Sequence, residues 1–341
     1  MKKTCAALEQ NQLTFNSGYF DKILGLCCGN VIEEQIPGVD LEDTPEASFR
    51  NWENLVTKVI EESNYDLCDR TVSKACFYCP KLVSMESNRN EKINFINFFI
   101  YPSPCQSDCI YCGLRANGSF DMSDTEAINT MYSRVIALCN YLKENNKLDD
   151  NVVFQMASGE ITIHPFKREI LDMLGDMTTI FSSNCMKFDE EIAEKLRRNP
   201  QSKIDMSLDC GTSETWKIIK RRDNFQNVLE NLEKYRKYTT EDDQLQLKYI
   251  VLPGVNTSDE DFDGIVKIMK LLNVPKLVLS RDFGDSSENR SDFVQGLKRL
   301  VKALVMNDLG WDGQPALFYE DIKMLEEYEI SLKEIESNPV E

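Results

Sequence analysis

Positive charge is scarce in this chain of 341 residues: 39 basic side chains stand against 57 acidic ones, a formal net charge of −18. A grip on nucleic acid needs clustered positive charge, so no nucleic-acid partner is expected. Long apolar runs are missing as well. The longest, Phe95 to Tyr101, is strand-length, whereas a membrane span needs roughly 20 residues, so no membrane partner is expected either. The basic start Met1-Lys2-Lys3 is followed by Leu8-Glu9-Gln10-Asn11-Gln12, which breaks any apolar signal region, and the chain reads as cytoplasmic. No Gly-x-Gly-x-x-Gly follows a strand, which disfavours a dinucleotide fold, and no internal repeat or low-complexity segment is evident. Histidine is all but absent: His164 stands alone beside twelve cysteines. In a reducing compartment such cysteine wealth points to metal or redox chemistry rather than disulfides. Hydrophobic residues make up 42%, enough for a real core.

The cysteines divide the chain. Nine fall in the first 112 residues, and only Cys139, Cys185 and Cys210 follow. A polar stretch at Ser84 to Asn90 separates a Cys-rich head, residues 1–90, from a body, residues 91–306, and an acidic, helical tail occupies 307–341. The body alternates strand and helix signals. Ile93 to Ile100 is a buried strand; a helix over Ser123 to Glu144 follows, with Ser123 as N-cap and Glu126 completing a capping box. Strands are then expected at Val152–Met156, Thr178–Ser182, Ile204–Leu208, Leu245–Leu252 and Lys276–Ser280. Helices are expected at Phe166–Leu174, Asp189–Arg198, Asn224–Tyr238, Ser258–Leu272 and Ser291–Val305. Strict alternation means parallel strands with helical crossovers. A full barrel takes about 250 residues, so six units predict an α/β fold with a partial (β/α)6 TIM-type barrel. A flat doubly wound sheet is the alternative.

Directly after the first strand stands Cys105-Gln-Ser-Asp-Cys109-Ile-Tyr-Cys112. Three thiolates on one loop can hold three corners of a [4Fe–4S] cube and leave the fourth iron open to a ligand. A zinc knuckle would want a fourth Cys or His nearby, and none follows Cys112. The spacing, with aromatic Tyr111 before the last cysteine, resembles the radical S-adenosylmethionine (SAM) superfamily over about Ile93 to Val305. The resemblance implies a [4Fe–4S] cluster on Cys105, Cys109 and Cys112 whose open iron is chelated by SAM. One-electron reduction then cleaves SAM to a 5′-deoxyadenosyl radical that abstracts hydrogen from a substrate.

It implies SAM contacts at the strand ends too, where barrel chemistry gathers. Ser158-Gly159-Glu160 stands where the family carries a Gly-Gly-Glu-type turn for the SAM ammonium, here with Ser in place of the first glycine. Ser182-Ser183-Asn184 stands where the family often has Thr-Asn-Gly or Ser-Asn-Gly, with Cys185 next. Ser207 and Asp209 flank a strand end from which the family contacts the SAM ribose or carboxylate. Asn256 and Arg281 complete the rim.

In the head, Cys5, Gly18, the Cys27-Cys28 pair and Cys76-Phe-Tyr-Cys79 resemble the auxiliary-cluster extension of SPASM and twitch radical SAM enzymes, although that extension normally follows the barrel. The resemblance implies a second [4Fe–4S] cluster on Cys5, Cys28, Cys76 and Cys79, with Cys27 or Cys68 as substitutes. A four-cysteine zinc site is the competing assignment. SPASM relatives often act on ribosomally made peptides, and twitch relatives on small sugars or aminocyclitols. The expected function is therefore a radical SAM enzyme acting on a peptide, or on a small metabolite by oxidation or epimerisation. It would draw on a low-potential one-electron donor of the flavodoxin or ferredoxin type. An iron–sulfur electron-transfer protein is the non-enzymatic alternative. Cys210, or Cys185 in its place, is a candidate hydrogen-atom donor at a strand end; the competing role is a packed thiol. Cys139 and the aromatic Trp216 and Trp311 read as packing, His164 as structural, and Lys220-Arg221-Arg222 as a solvated loop.

Overall fold

A computed structural model describes residues 3–4, 11–16, 23–26, 38–63, 83–84, 90–112, 121–157, 159–282, 290–313 and 319–337. The chain forms two compact units: residues 1–105 with 114–181, and residues 106–113 with 182–341.

The first unit holds strands β1 (Lys3–Thr4), β2 (Leu13–Asn16), β3 (Leu24–Gly25), β4 (Gly38–Val39), β5 (Val83–Ser84), β6 (Ile93–Phe99), β7 (Leu148–Met156) and β8 (Thr178–Ser182). Its helices are α1 (Pro45–Ser63), α2 (Thr125–Glu144) and α3 (Lys167–Leu174). Strands β6, β7 and β8 run parallel, as their helical crossovers require. On the other side of β6 the head adds β2, parallel, with Leu13 opposite Ile96 and Phe15 opposite Phe98. Antiparallel β3 and β4 extend that edge, and β1 pairs separately with β5. Buried Phe49, Trp52, Val56 and Val59 recur at helical spacing on α1. The Trp52 indole donates to Gly25 O at 3.1 Å, and Phe49 meets Tyr141 of α2, so this helix covers the added strands.

The second unit holds β9 (Lys203–Ser207), β10 (Leu245–Val251), β11 (Lys276–Arg281) and β12 (Gly310–Gly313), all parallel and in that order. Its helices are α4 (Glu190–Arg198), α5 (Ser213–Lys220), α6 (Phe225–Arg236), α7 (Asp259–Leu271), α8 (Arg290–Val305) and the tail helix α9 (Tyr319–Ser337). Side chains alternate across each strand. Ile204 and Met206 of β9, with Leu245, Leu247 and Tyr249 of β10, are buried on the face covered by α7, where Phe262 meets the Tyr249 ring.

The fold is thus a partial TIM-type barrel of the expected (β/α)6 kind with a Cys-rich N-terminal extension and a C-terminal helix; β12, within residues expected to form a helical tail, adds one parallel strand to the six expected. Asp189 and Ser258 cap α4 and α7 as expected, accepting from Ile192 N and Asp261 N. The cap of α2 is a correction: Asp124, not Ser123, accepts from Ala127 N, and the Ser123 amide instead donates to Asp121. A carboxylate one residue later offers the stronger acceptor to the helix's open N–H groups. Among the described residues, no helix is long and apolar enough to cross a membrane.

Candidate active site

In the first unit, the strand end of β6 runs through Ile100 to Cys105. Tyr132 of α2 donates its hydroxyl to Pro102 O at 3.2 Å, and His164 Nε2 lies 2.9 Å from the same hydroxyl. His164 Nδ1 accepts from Phe166 N, so its proton sits on Nε2 and points at Tyr132. Burial holds the imidazole neutral, with its pKa lowered to about 4.

Next to this segment is the turn after β7. Glu160 N donates to Pro104 O at 2.8 Å. Gly159 has φ +51, and a Cβ there would lie 2.5 Å from both Pro104 O and Ser103 Oγ. Only glycine suits that backbone and that gap. Glu160 is fully buried; its Oε1 accepts from Thr162 N at 3.1 Å and Thr162 Oγ1 at 2.8 Å. The turn therefore presents a fixed carboxylate beside the residues that lead to Cys105.

In the second unit, residues 106–112 dock onto the end of α5. A helix leaves its last carbonyls without partners. Here Ile110 N takes Ile219 O at 2.9 Å and Asp108 N takes Lys220 O at 3.2 Å. Arg222 Nε donates to Gln106 O at 2.6 Å, and Arg221 pairs with Asp108 at 3.6 Å. Lys220 is buried, which corrects its place in a solvated loop, while Arg221 and Arg222 are exposed as expected yet tie the run to the cysteine loop. Cys109 and Cys112 are half-buried on this loop; Ser107 Oγ lies 3.0 Å from Cys109 Sγ, and Cys112 N donates to Cys109 O.

Under the loop lies a buried charged cluster. Tyr111 Oη donates to Asp209 Oδ2 at 2.6 Å, and Lys220 Nζ donates to that same oxygen at 2.6 Å, to Tyr111 Oη at 2.5 Å and to Ser207 O at 2.7 Å. Burial alone would lower the Lys220 pKa, but the charges of Asp209 and Cys109 outweigh it and raise it, so the ammonium persists. Burial, then Asp209 and Cys109, push the Tyr111 phenol well up, so it stays a donor.

Asp209 has φ +62, a conformation that aspartate tolerates better than most side chains. Its surroundings fix it: Oδ1 takes Ile250 N at 2.8 Å, and its carbonyl takes Asn256 Nδ2 at 2.7 Å. Asn256 also bonds Ile250 O and Leu252 N, so its amide is fully used. Asp209 and Asn256 were expected at the SAM rim; their polar atoms here fasten β9, β10 and the cysteine loop together.

The remaining expected residues are placed as follows. Ser182 and Ser207 end β8 and β9 half-buried, Arg281 ends β11, and Asn184 Oδ1 accepts from Gln106 Nε2 and Met186 N. Cys185 and Cys210 are fully buried. The Cys185 carbonyl takes Asn231 Nδ2, the Cys210 sulfur lies 3.5 Å from Leu208 O, and burial pushes the Cys210 thiol well up. Ser158 and the head cysteines Cys5, Cys27, Cys28, Cys68, Cys76 and Cys79 lie outside the described residues. Sequence reasoning missed Lys220, whose one available signal was its position at the end of an eight-residue stretch with buried Trp216 and Ile219.

The donor set suits an iron–sulfur cube: three thiols, two of them on a half-buried loop whose backbone is tied down at both Asp108 and Ile110. Among the described residues, no three His, Cys, Asp or Glu side chains gather as ligands of a single metal ion.

Residues 101–267 match the family described as the Radical SAM superfamily. No curated protein matches by sequence. Among solved structures, the chain is similar to Streptococcus suis SuiB bound to precursor peptide SuiA: 11% identity, TM-score 0.47, 86% of this chain and 63% of that one. It is similar to a radical SAM methyltransferase from Sphaerobacter thermophilus, with 17% identity, TM-score 0.42 and coverage of 62% and 63%. A domain of pyruvate-formate lyase-activating enzyme from Bacteroides vulgatus matches at 14% identity and TM-score 0.37, over 47% of this chain and 97% of that one. The chain thus spans less than two thirds of the length of SuiB.

Proposed function

We propose, for a chain whose residues 101–267 match the Radical SAM superfamily, that it is an enzyme that cleaves SAM and turns the resulting radical on a peptide substrate. A [4Fe–4S] cluster held by Cys105, Cys109 and Cys112 would supply one electron to the SAM sulfonium, giving methionine and a 5′-deoxyadenosyl radical that takes a hydrogen atom from the substrate.

The observation that carries this reading is the fastening of the cysteine loop to Asp209 and Lys220 inside the matched segment. Tyr111 and Lys220 hold the loop against the end of β9. Gly159 lets the turn after β7 approach Pro104, and Glu160 offers its carboxylate to the SAM ammonium. Ser182, Asn184, Ser207 and Arg281 line the strand ends for its remaining polar groups. Asp209 and Asn256 act as positioning residues. A flavodoxin- or ferredoxin-type protein is the electron donor, and the enzyme works in the cytoplasm.

The head completes the proposal with an auxiliary [4Fe–4S] cluster on Cys5, Cys28, Cys76 and Cys79. Its resemblance to SPASM extensions supports the peptide class. Anaerobic iron and sulfide analysis tests both sites. The parent should hold about eight iron atoms, and a Cys105/Cys109/Cys112→Ala variant about four. In the reduced parent, SAM should shift the electron paramagnetic resonance spectrum, and the variant should show no shift. Zinc in the variant overturns the auxiliary cluster. A parent spectrum indifferent to SAM overturns the cofactor assignment.

A further inference from the structure

The face of β9 and β10 opposite α7 is polar. Asp205 and Ser207 of β9 share it with Gln246 and Lys248 of β10, because Asp205 stands opposite Gln246 and Ser207 opposite Lys248. Two other charged residues of this sheet are already paired: Lys203 with Asp243 at 2.5 Å, and Lys276 with Asp312 at 3.6 Å. Asp205 is different. Its Oδ1 is buried and without a hydrogen-bond partner, and no ion pair among the described residues reaches its carboxylate. Burial raises its pKa; Lys248 opposes that rise without pairing with it, and the charge of Asp209 adds to it.

A carboxylate oxygen buried without a hydrogen bond is costly, and stable folds pair such groups or reserve them for a ligand; in Asp205 that oxygen is Oδ1, while the side chain as a whole is half-buried. Among the described residues no partner is spent on that oxygen. Asp205 sits two residues before Ser207, about 7 Å along the strand from the carbonyl that anchors Lys220. We infer that Asp205 is a recognition site for a cationic group of the substrate, an ammonium or guanidinium such as a lysine or arginine side chain carries. Lys248 lies near the carboxylate without occupying it. The inference rests on the proposed substrate class, since it supposes a substrate lying on this face of the barrel.

Two probes that differ in charge but little in size test it: Nα-acetyl-lysine methylamide and Nα-acetyl-norleucine methylamide, titrated by NMR into the anaerobically reconstituted protein. A charge-assisted hydrogen bond predicts that the lysine amide binds about tenfold tighter or more. Asp205→Asn, nearly isosteric, should erase that preference, and Asp205→Glu should restore part of it. Equal binding of the two amides by the parent, or an undiminished preference in Asp205→Asn, overturns the site. SAM cleavage by the parent, measured in parallel without either amide, reports on the proposed function separately. Its absence alongside an intact lysine preference would sink the function and leave the site standing.

Discussion

Lys220 and Asp209 form an ion pair of 2.6 Å whose side chains are 3% and 0% exposed, eleven residues apart in sequence and joined under the cysteine loop. Charges so fully removed from water persist only when paired and hydrogen-bonded. Here the ammonium has three acceptors and the carboxylate three donors. The pair fixes where Tyr111, and with it the loop carrying Cys109 and Cys112, meets the barrel.

Removing one partner should therefore cost far more than removing both. Lys220→Met leaves Asp209 uncompensated and should lose about 3–5 kcal/mol of stability, together with most of the iron. Lys220→Met with Asp209→Asn should recover much of the stability, since asparagine tolerates the positive φ and keeps an acceptor for Ile250 N, without recovering all of the iron, because Tyr111 then lacks both charged anchors. Urea unfolding and iron analysis of the two variants check this. A single variant as stable as the parent would show that the pair is not the anchor.

The turn at Gly159 gives a second prediction. Gly159→Ala places a methyl group against Pro104 O and Ser103 Oγ at a positive φ. Relief requires moving the segment that ends at Cys105. Loss of about 1–3 kcal/mol is expected, with a raised KM for SAM through the displaced Glu160. Gly254→Ala is the control for φ alone, since no atom lies within 4 Å of its Cβ position.

The pairing of Lys220 with Asp209 was not legible in the sequence, and the reason is physical. An eight-residue helix with buried Trp216 and Ile219 carries too short a periodic signal, and a basic run usually marks a solvated surface. The long crossover helices and the six barrel strands were legible because each repeats its apolar pattern over a whole element. Strands β2, β3 and β4 were not: they are two to four residues long, and β2 pairs with a strand about eighty residues away. The cysteine loop was found by spacing alone, whereas the roles of Asp209 and Asn256 depend on bonds that only the fold creates. Asp205 was overlooked because a charge between Ile204 and Met206 reads as an ordinary outward position.

His164 supplies a pH test. Its pKa falls from an ordinary 6.5 to about 4 by burial, so the unfolded chain binds a proton that the folded one refuses. The stabilisation is complete above pH 6.5 and is lost as pH falls from there toward 4. Between pH 7.5 and pH 5 the parent should lose about 2 kcal/mol more than His164→Gln, at about 1.4 kcal/mol per pH unit below 6.5. Urea unfolding at several pH values measures it, and parallel curves for the two proteins would mean that His164 titrates normally.

The central claim is that the cysteine loop holds the cluster that cleaves SAM. Anaerobically reconstituted protein, reduced with dithionite and supplied with SAM, should release 5′-deoxyadenosine and methionine in equal amounts, quantified by mass spectrometry. Cys109→Ala should release neither. Release by Cys109→Ala at the parent rate, or none by a parent shown to hold its iron, would contradict the account.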